Sequence, residues 1–200
     1  MRRTKEQAAQ TGRQILRTAE NLFLEQGYDK VSLEDIATAA GVTRGAVHWH
    51  FKNKQGLLYA LLDDAQAPFR ALAQNLAEDS EPASLEKLGE IIGGTFDRLH
   101  DDPRQQGLVK AMMRLDLTLA DDDGAGSTFR SEMNLHLEQI FAVMAARRGL
   151  PAPWTPASAA AALGATVGGL ISEWALGKGN FRLVPDGKAF VKIILATWLA

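Results

Sequence analysis

Apolar residues along the first third of the chain recur at intervals of three and four, the period of an amphipathic helix, and nowhere alternate as a half-buried strand requires. Ile15, Leu16, Ala19, Leu22 and Phe23 form the first stripe and predict a helix over 10–26, which Gly27 stops. Leu33, Ile36, Ala37 and Ala40 form the second. Ser32 stands before them as an N-cap, with Asp35 three residues on as an acidic variant of the capping box, and Gly41 ends the helix. Val42 returns to the interior, and Thr43 caps another short helix reaching His50. That helix has apolar residues for one side only: Val47 and Phe51 point inward, leaving an open face.

The remaining pattern is also helical. Asn53 caps a fourth helix carrying Leu57, Leu58, Leu61, Leu62, Ala65 and Phe69. After a loop at 78–84 containing Pro82, Ser84 caps a helix over 85–99, with Leu88, Ile91, Ile92, Thr95, Phe96 and Leu99 on its apolar face. Gly93 and Gly94 interrupt it. Each costs about 0.5–1 kcal/mol relative to alanine in a helix, so a close contact or a local bend is expected there. Further helices are predicted over 104–119, 127–148, 157–176 and 185–199, giving about nine and no strand. The predicted fold is all-α: a three-helix head over 1–53 and a helical body over 54–200.

Composition removes several alternatives. The chain is 200 residues long with 46% hydrophobic content, enough for a real core, and it has no cysteine, hence no disulfide and no thiolate metal site. No apolar run is read as long enough to span a bilayer, and the basic start MRRTKE leads into an amphipathic segment, unlike a signal peptide. A cytoplasmic location without membrane attachment is expected. The four histidines are scattered, with His48 and His50 two apart and so on different helix faces, and no acid is spaced to complete a metal site. A nucleophile elbow and a phosphate-cradling glycine loop are both absent, so neither an enzyme nor a cofactor is expected.

Charge is more informative when divided. The net charge is −2, but residues 1–54 hold nine Lys or Arg against six Asp or Glu, whereas residues 55–200 hold thirteen against eighteen. A basic head on an acidic body is the distribution of a nucleic-acid reader fused to something that does not touch nucleic acid.

Two short helices joined by a glycine-containing turn are a helix-turn-helix, whose second helix enters a DNA major groove. The expected DNA-facing set is Ser32, Thr43, Arg44, Gly45, Ala46, His48, Trp49, His50 and Lys54. Arg44 is expected to read a base edge, with guanine the best match to a bidentate guanidinium, while Thr43, His50 and Lys54 hold phosphates. Lys54 lies in the first turn of its helix, where a cation opposes the macrodipole unless an external anion is present. Arg2, Arg3 and Lys5 could follow the duplex or simply be solvated.

The last two long helices are the candidate dimer surface. Ala157, Ala160, Ala161, Gly164, Thr166, Gly168 and Gly169 permit close approach, Leu163, Val167, Leu170, Ile171 and Trp174 add apolar area, and Phe190, Ile193, Ile194, Thr197 and Trp198 complete a four-helix packing about a two-fold axis. The same faces could instead pack within one subunit.

The segment RRTKEQAAQTGRQILRTAENLFLEQGYDKVSLEDIATAAGVTRGAVHWHFKNKQGLLYALL, above all GVTRGAVHWHFKNK, resembles the TetR family of transcriptional repressors, closest to the branch that represses multidrug efflux pump operons. The match covers about the first 62 residues; beyond them agreement lies in helix count, length and the GLISEW segment. His48 stands where the family usually has tyrosine. The resemblance implies a homodimer on a palindromic double-stranded DNA operator, released by a small-molecule inducer. It also implies a drug-sized pocket in the body, to which Phe69, Ile92, Thr95, Phe96, Met112, Met113, Asp116, Phe129, Met133, His136, Leu137, Ile140, Ile171 and Trp174 are assigned as a group, although most of them taken singly read more readily as ordinary core. Two other readings stay open: a repressor of a metabolic operon responding to a fatty or aromatic metabolite, and a helical protein-interaction module that does not bind DNA.

Overall fold

The structure, a computed structural model, describes residues 5–78, 85–120, 129–177 and 180–198, and within these the side chains of Asp116, Thr118, Leu119 and Ala120 are left aside. Among the described residues the chain is all-helical. The helices are α1 (Lys5–Gln26), α2 (Leu33–Ala39), α3 (Arg44–Phe51), α4 (Lys54–Ala77), α5 (Leu85–Asp101), α6 (Gln105–Ala120), α7 (Phe129–Arg148), α8 (Pro156–Leu176) and α9 (Lys188–Thr197). A 3-10 turn at Tyr28–Lys30 joins α1 to α2, and a wide π turn at Leu183–Gly187 leads into α9. Two expected starts shift: α1 begins at Lys5 instead of 10, because polar residues carry the helix outward beyond its apolar stripe, and α9 begins three residues late because that turn precedes it.

Two apolar cores organise these helices. The first collects Ile15, Ala19 and Phe23 of α1 with Ile36, Ala37 and Val47 of the helix-turn-helix and Leu57, Leu58 and Leu61 of α4. Leu108, Ala111 and Leu115 of α6 complete it, so part of the body closes the underside of the head. The second core runs from Phe69, Leu72 and Leu76 of α4 through Leu88, Ile92 and Phe96 of α5 to Ile140 and Phe141 of α7, Leu163 of α8 and Leu195 of α9. Helix α4 therefore belongs to both, its first half to the head and its second to the body.

Sequence explains the local fits. Gly56 follows α3 so tightly that a Cβ there would collide with the Phe51 carbonyl oxygen; its N–H is capped by Asn53 Oδ1 at 2.8 Å. Gly93 provides the expected close contact, since a Cβ would lie 3.1 Å from Lys188 Cε, and the Lys188 ammonium reaches both carboxylate oxygens of Asp97 at 2.8 and 3.0 Å. Gly94 has no such neighbour, and α5 passes through both glycines as one helix. The expected Ser84 cap lies outside the described residues.

Three expectations need correction. Ala65, assigned to the inner stripe of α4, is exposed, and Gln66 is buried in its place. Trp198, assigned to an outer dimer face, is buried edge-on against Phe141 and Trp154, with ring centroids 5.1 and 5.4 Å away. Helix α8 is long and apolar enough by length and composition to cross a membrane, with a mean hydropathy of 1.3, contrary to the reading of the bare sequence. Its alanines and glycines are individually weak, which hides their summed effect. In the fold it packs on α6 and α7 and leaves Ala161, Ala165, Gly168, Gly169 and Leu176 exposed.

Candidate nucleic-acid interface and effector cavity

Helix α3 is fixed from inside and open outside. Thr43 has extended backbone and its Oγ1 accepts from the Ala46 N–H at 3.2 Å, starting the helix. Val47 is fully buried, contributing about 1.5–3 kcal/mol to holding α3 on the head. Arg44, Gly45 and His48 are exposed, and Trp49 is 72% exposed. An indole this open gains little from burial within its own chain, so its apolar area is free for a partner. A Cβ at Gly45 would meet only Thr43 Oγ1, at 3.8 Å, so the fold has no steric need for glycine there.

The other assigned residues have intramolecular work. Ala46 and His50 are half-buried. The His50 ring stands edge-on to Trp49 with centroids 4.6 Å apart and tilts toward Phe51 at 5.9 Å, while Gly12 of α1 approaches so closely that a Cβ would lie 3.1 Å from His50 Nδ1. Ser32 forms a full capping box: its Oγ accepts from Asp35 N at 3.2 Å and donates to Asp35 Oδ2 at 2.6 Å, and its N–H donates to the same oxygen at 2.8 Å. These bonds hold the Asp35 carboxyl below its ordinary range. Lys54 donates to the carbonyls of Tyr28 and Val31 at 2.8 and 3.0 Å, so the first turn of α4 is tied to the α1–α2 connection. From α1, Gln14 Nε2 donates to the Ala40 carbonyl at 2.8 Å and fixes the end of α2.

A second feature lies where α4 passes between the cores. A cavity of about 370 Å³ opens there, with Tyr59, Ala60, Leu62, Asp63 and Gln66 contributed by α4 and Phe129 and Glu132 by α7. Gln66 is 1% exposed. Its Nε2 makes long bonds to Phe129 O at 3.4 Å and Glu132 Oε2 at 3.5 Å, and its Oε1 has no partner among the described residues. Asp63 is held by Arg70, with Nη1 to Oδ1 at 2.7 Å.

Of the residues assigned to a ligand pocket, Phe129 alone lines this cavity. Phe69, Ile92, Phe96, Leu137 and Ile140 are buried in the body core, with Met133, Ile171 and Trp174 packed against it. Met112 packs against the head core and Met113 is half-buried. Thr95 donates back to Ile91 O at 3.0 Å, and half-buried His136 keeps its Nδ1 without a partner among the described residues. The Asp116 side chain lies outside the described residues. Tyr59, Asp63, Gln66 and Glu132 were missed. Gln66 was detectable, because a polar residue four beyond Leu62 interrupts an apolar stripe that resumes at Phe69.

Residues 15–61, spanning α1 to the middle of α4, match the family model described as bacterial regulatory proteins, tetR family. The likeness extends far beyond the head. The transcriptional repressor BepR of Brucella suis biovar 1 (strain 1330) is 32% identical over 199 residues, covering 98% of this chain and 95% of the relative. The chain belongs to the TetR family. Another relative, the transcriptional regulator TtgR of Pseudomonas putida, is 33% identical over 195 residues, covering 96% of this chain and 92% of that one. Among solved structures, SmeT, the repressor of the Stenotrophomonas maltophilia multidrug efflux pump SmeDEF, aligns with a TM-score of 0.72 at 27% identity, covering 94% of this chain and 89% of that chain. A SmeT–triclosan complex aligns with a TM-score of 0.70 at 27% identity, covering 94% and 90%. This TetR-family protein is thus a DNA-binding transcriptional regulator and not an enzyme, and α3 occupies the place of the recognition helix.

Proposed function

We propose that this regulator is a homodimeric repressor that binds a palindromic operator, controls a multidrug efflux operon and is released by a small molecule bound between α4 and α7. The observation that carries the DNA half is the outward face of α3: Arg44, Gly45, His48 and a 72% exposed Trp49 on a helix anchored by a buried Val47. Arg44 reads a base edge, and Thr43 and the α3 N-terminus meet phosphates. One helix of eight residues reads few bases, so two copies spaced about 34–36 Å apart are needed for operator affinity. The partly exposed α8 and α9 faces, with Phe190 and Ile193 outward, supply the surface for pairing.

Release follows from where the cavity lies. A compound entering it pushes on α4 between Leu61, which is packed in the head core, and Phe69, which is packed in the body core. Displacement there changes the spacing of two recognition helices that must fit successive grooves together. A ligand favouring the displaced arrangement by about 1–3 kcal/mol weakens operator binding about 5- to 150-fold. The efflux assignment draws on the kinship with SmeT, the repressor of a multidrug efflux pump.

The test is a salt titration of wild type and Arg44→Ala against a palindromic operator selected from a random duplex library with the wild-type protein and against a scrambled duplex. Arg44→Ala is expected to lose about 1–3 kcal/mol on the operator and little on the scrambled duplex. Equal losses on both would remove the base-reading role, and operator binding unaffected by any efflux substrate would remove the release mechanism.

A further inference from the structure

The outward side of α1 carries a groove that belongs to neither core. Gln10, Arg13, Gln14, Arg17, Thr18 and Asn21 line it, a stripe at helical spacing turned away from the buried Ile15, Ala19 and Phe23, around a volume of about 450 Å³. Every lining side chain is polar and none is a carboxylate. Arg13 and Arg17 are exposed and have no ion-pair partner among the described residues, whereas Arg70, Arg104, Arg114 and Arg182 each hold an aspartate. Glu20, further along the helix, is half-buried near Asp64 and Asp102 and takes no part in the groove. This stretch of α1 is tied to the DNA-reading unit at two points. Gly12 lies against the His50 ring of α3, and Gln14 Nε2 donates to the Ala40 carbonyl at the end of α2 at 2.8 Å. The backbone that carries Arg13 and Arg17 therefore keeps a fixed place beside α3.

From this we infer that the outer face of α1 is a second contact with duplex DNA: Arg13 and Arg17 hold backbone phosphates outside the half-site that α3 reads, without regard to sequence. The inference rests on α3 being the operator-reading helix proposed above. Residues four apart rise about 6 Å along a helix, and one strand presents a phosphate about every 3.4 Å of duplex axis, so the pair can engage neighbouring phosphates. Guanidinium and phosphate form charge-assisted, bidentate bonds, and Gln10, Thr18 and Asn21 add neutral donors that repel no anion. The duplex is the polyanion that α3 brings to the head, and its backbone continues past the end of α3 against which Gly12 lies.

The test uses the full-length protein and the selected operator in two lengths, one trimmed to the half-sites and one carrying a further turn of duplex on each side. Fluorescence anisotropy follows binding over a salt series. Each phosphate contact adds about 0.9 to the slope of log affinity against log salt, so the Arg13→Gln/Arg17→Gln double variant is expected to lower that slope on the long duplex by about 1.8 per subunit. Arg17→Gln alone is expected to lower it by about half as much. Removing the flanks is expected to cost wild type about tenfold or more in affinity at low salt and the double variant severalfold less, with the preference for operator over scrambled duplex unchanged. Arg13→Lys/Arg17→Lys retains the charge and is expected to keep the wild-type slope; circular dichroism checks the helical content of every variant. A double variant with the wild-type slope overturns the inference, as does an equal loss on both duplex lengths or a fall in operator preference. Arg44→Ala on the same duplexes separates the two readings. If it costs operator and scrambled duplex alike, the α3 reading falls and this inference with it, whereas a missing flank effect beside an intact Arg44 effect overturns this inference alone.

Discussion

The Lys54 ammonium lies 4.4 Å from the centre of the Tyr28 ring and donates to the Tyr28 carbonyl at 2.8 Å, so the first residue of α4 holds the 3-10 turn between α1 and α2 through both a π face and a hydrogen bond. Its position in the first turn suggested a phosphate ligand. Its geometry makes it a brace between two elements of the head, and the two roles differ in their response to salt.

Lys54→Ala is expected to lower the stability of the head by about 1–3 kcal/mol, because carbonyls of Tyr28 and Val31 lose a charged donor. Operator binding weakens for every sequence alike in either role. A brace leaves the slope of log affinity against log salt unchanged, whereas a phosphate contact lowers it by about 1 per subunit. Thermal denaturation and a salt series on the same variant separate the two.

Two glycines eleven residues apart are expected to respond oppositely to alanine. Gly45→Ala meets no atom closer than 3.8 Å and gains about 0.5–1 kcal/mol of helix stability, yet the added methyl faces the duplex and weakens operator binding. Gly56→Ala drives a methyl into the Phe51 carbonyl oxygen and is expected to cost about 1–3 kcal/mol or more by forcing α3 from α4. Denaturation and operator titration of both variants provide the check; a Gly45→Ala protein with normal affinity would remove close DNA approach at that position.

Two carboxyls have opposite pH signatures. Hydrogen bonds from Ser32 hold the Asp35 pKa below its unfolded value, so its contribution is complete above the ordinary carboxylate range near about 4 and is lost as pH falls through the lowered value. The difference in Tm between wild type and Ser32→Ala should therefore be widest near neutrality and narrow in acid to what the cap on the Asp35 N–H contributes. Burial first, then Asp64 and Asp102, raise the Glu20 pKa, so ionised Glu20 opposes folding at neutral pH. Glu20→Gln is expected to raise Tm at pH 7, with the gain shrinking as pH drops through the raised pKa; a constant offset across pH would show that charge is not the cause.

Ile193 is 64% exposed and Phe190 46% exposed on the outward side of α9. Ile193→Glu is expected to shift the protein from dimer to monomer in analytical ultracentrifugation and to reduce operator affinity by more than tenfold, while preserving helical content. A dimer that survives Ile193→Glu and Phe190→Glu would place the pairing surface elsewhere.

The helix-turn-helix was legible because its determinants are local. Ser32, Thr43 and Asn53 cap the helices they precede, Gly41 adopts φ 64°, and Val47 is the inward residue of a helix too short to have several. The cavity between α4 and α7 was not legible, because its walls depend on the rotation of one helix against the other. Periodicity admitted either Ala65 or Gln66 to the inner face, and hydrophobicity favoured the alanine; tertiary packing chose the glutamine. Met112, Phe96 and Met133 suit a drug pocket and a core alike by composition, and only the fold shows that Phe96 is buried in the body core, with Met133 packed against it, and that Met112 packs against the head core. Nothing in the sequence signals that Gly12, thirty-eight residues before His50, lies against its ring.

The α6 residues that close the underside of the head have a consequence for recombination. Leu108, Ala111 and Leu115 are separated from α3 by more than fifty residues of chain, yet Leu57 and Leu58 rest on the same apolar layer as these three. Grafting the first 53 residues onto a foreign relative would transplant the DNA-reading letters without the floor beneath them. A stable hybrid is therefore expected to need the α6 face from the same parent as the head, because the two share one apolar layer.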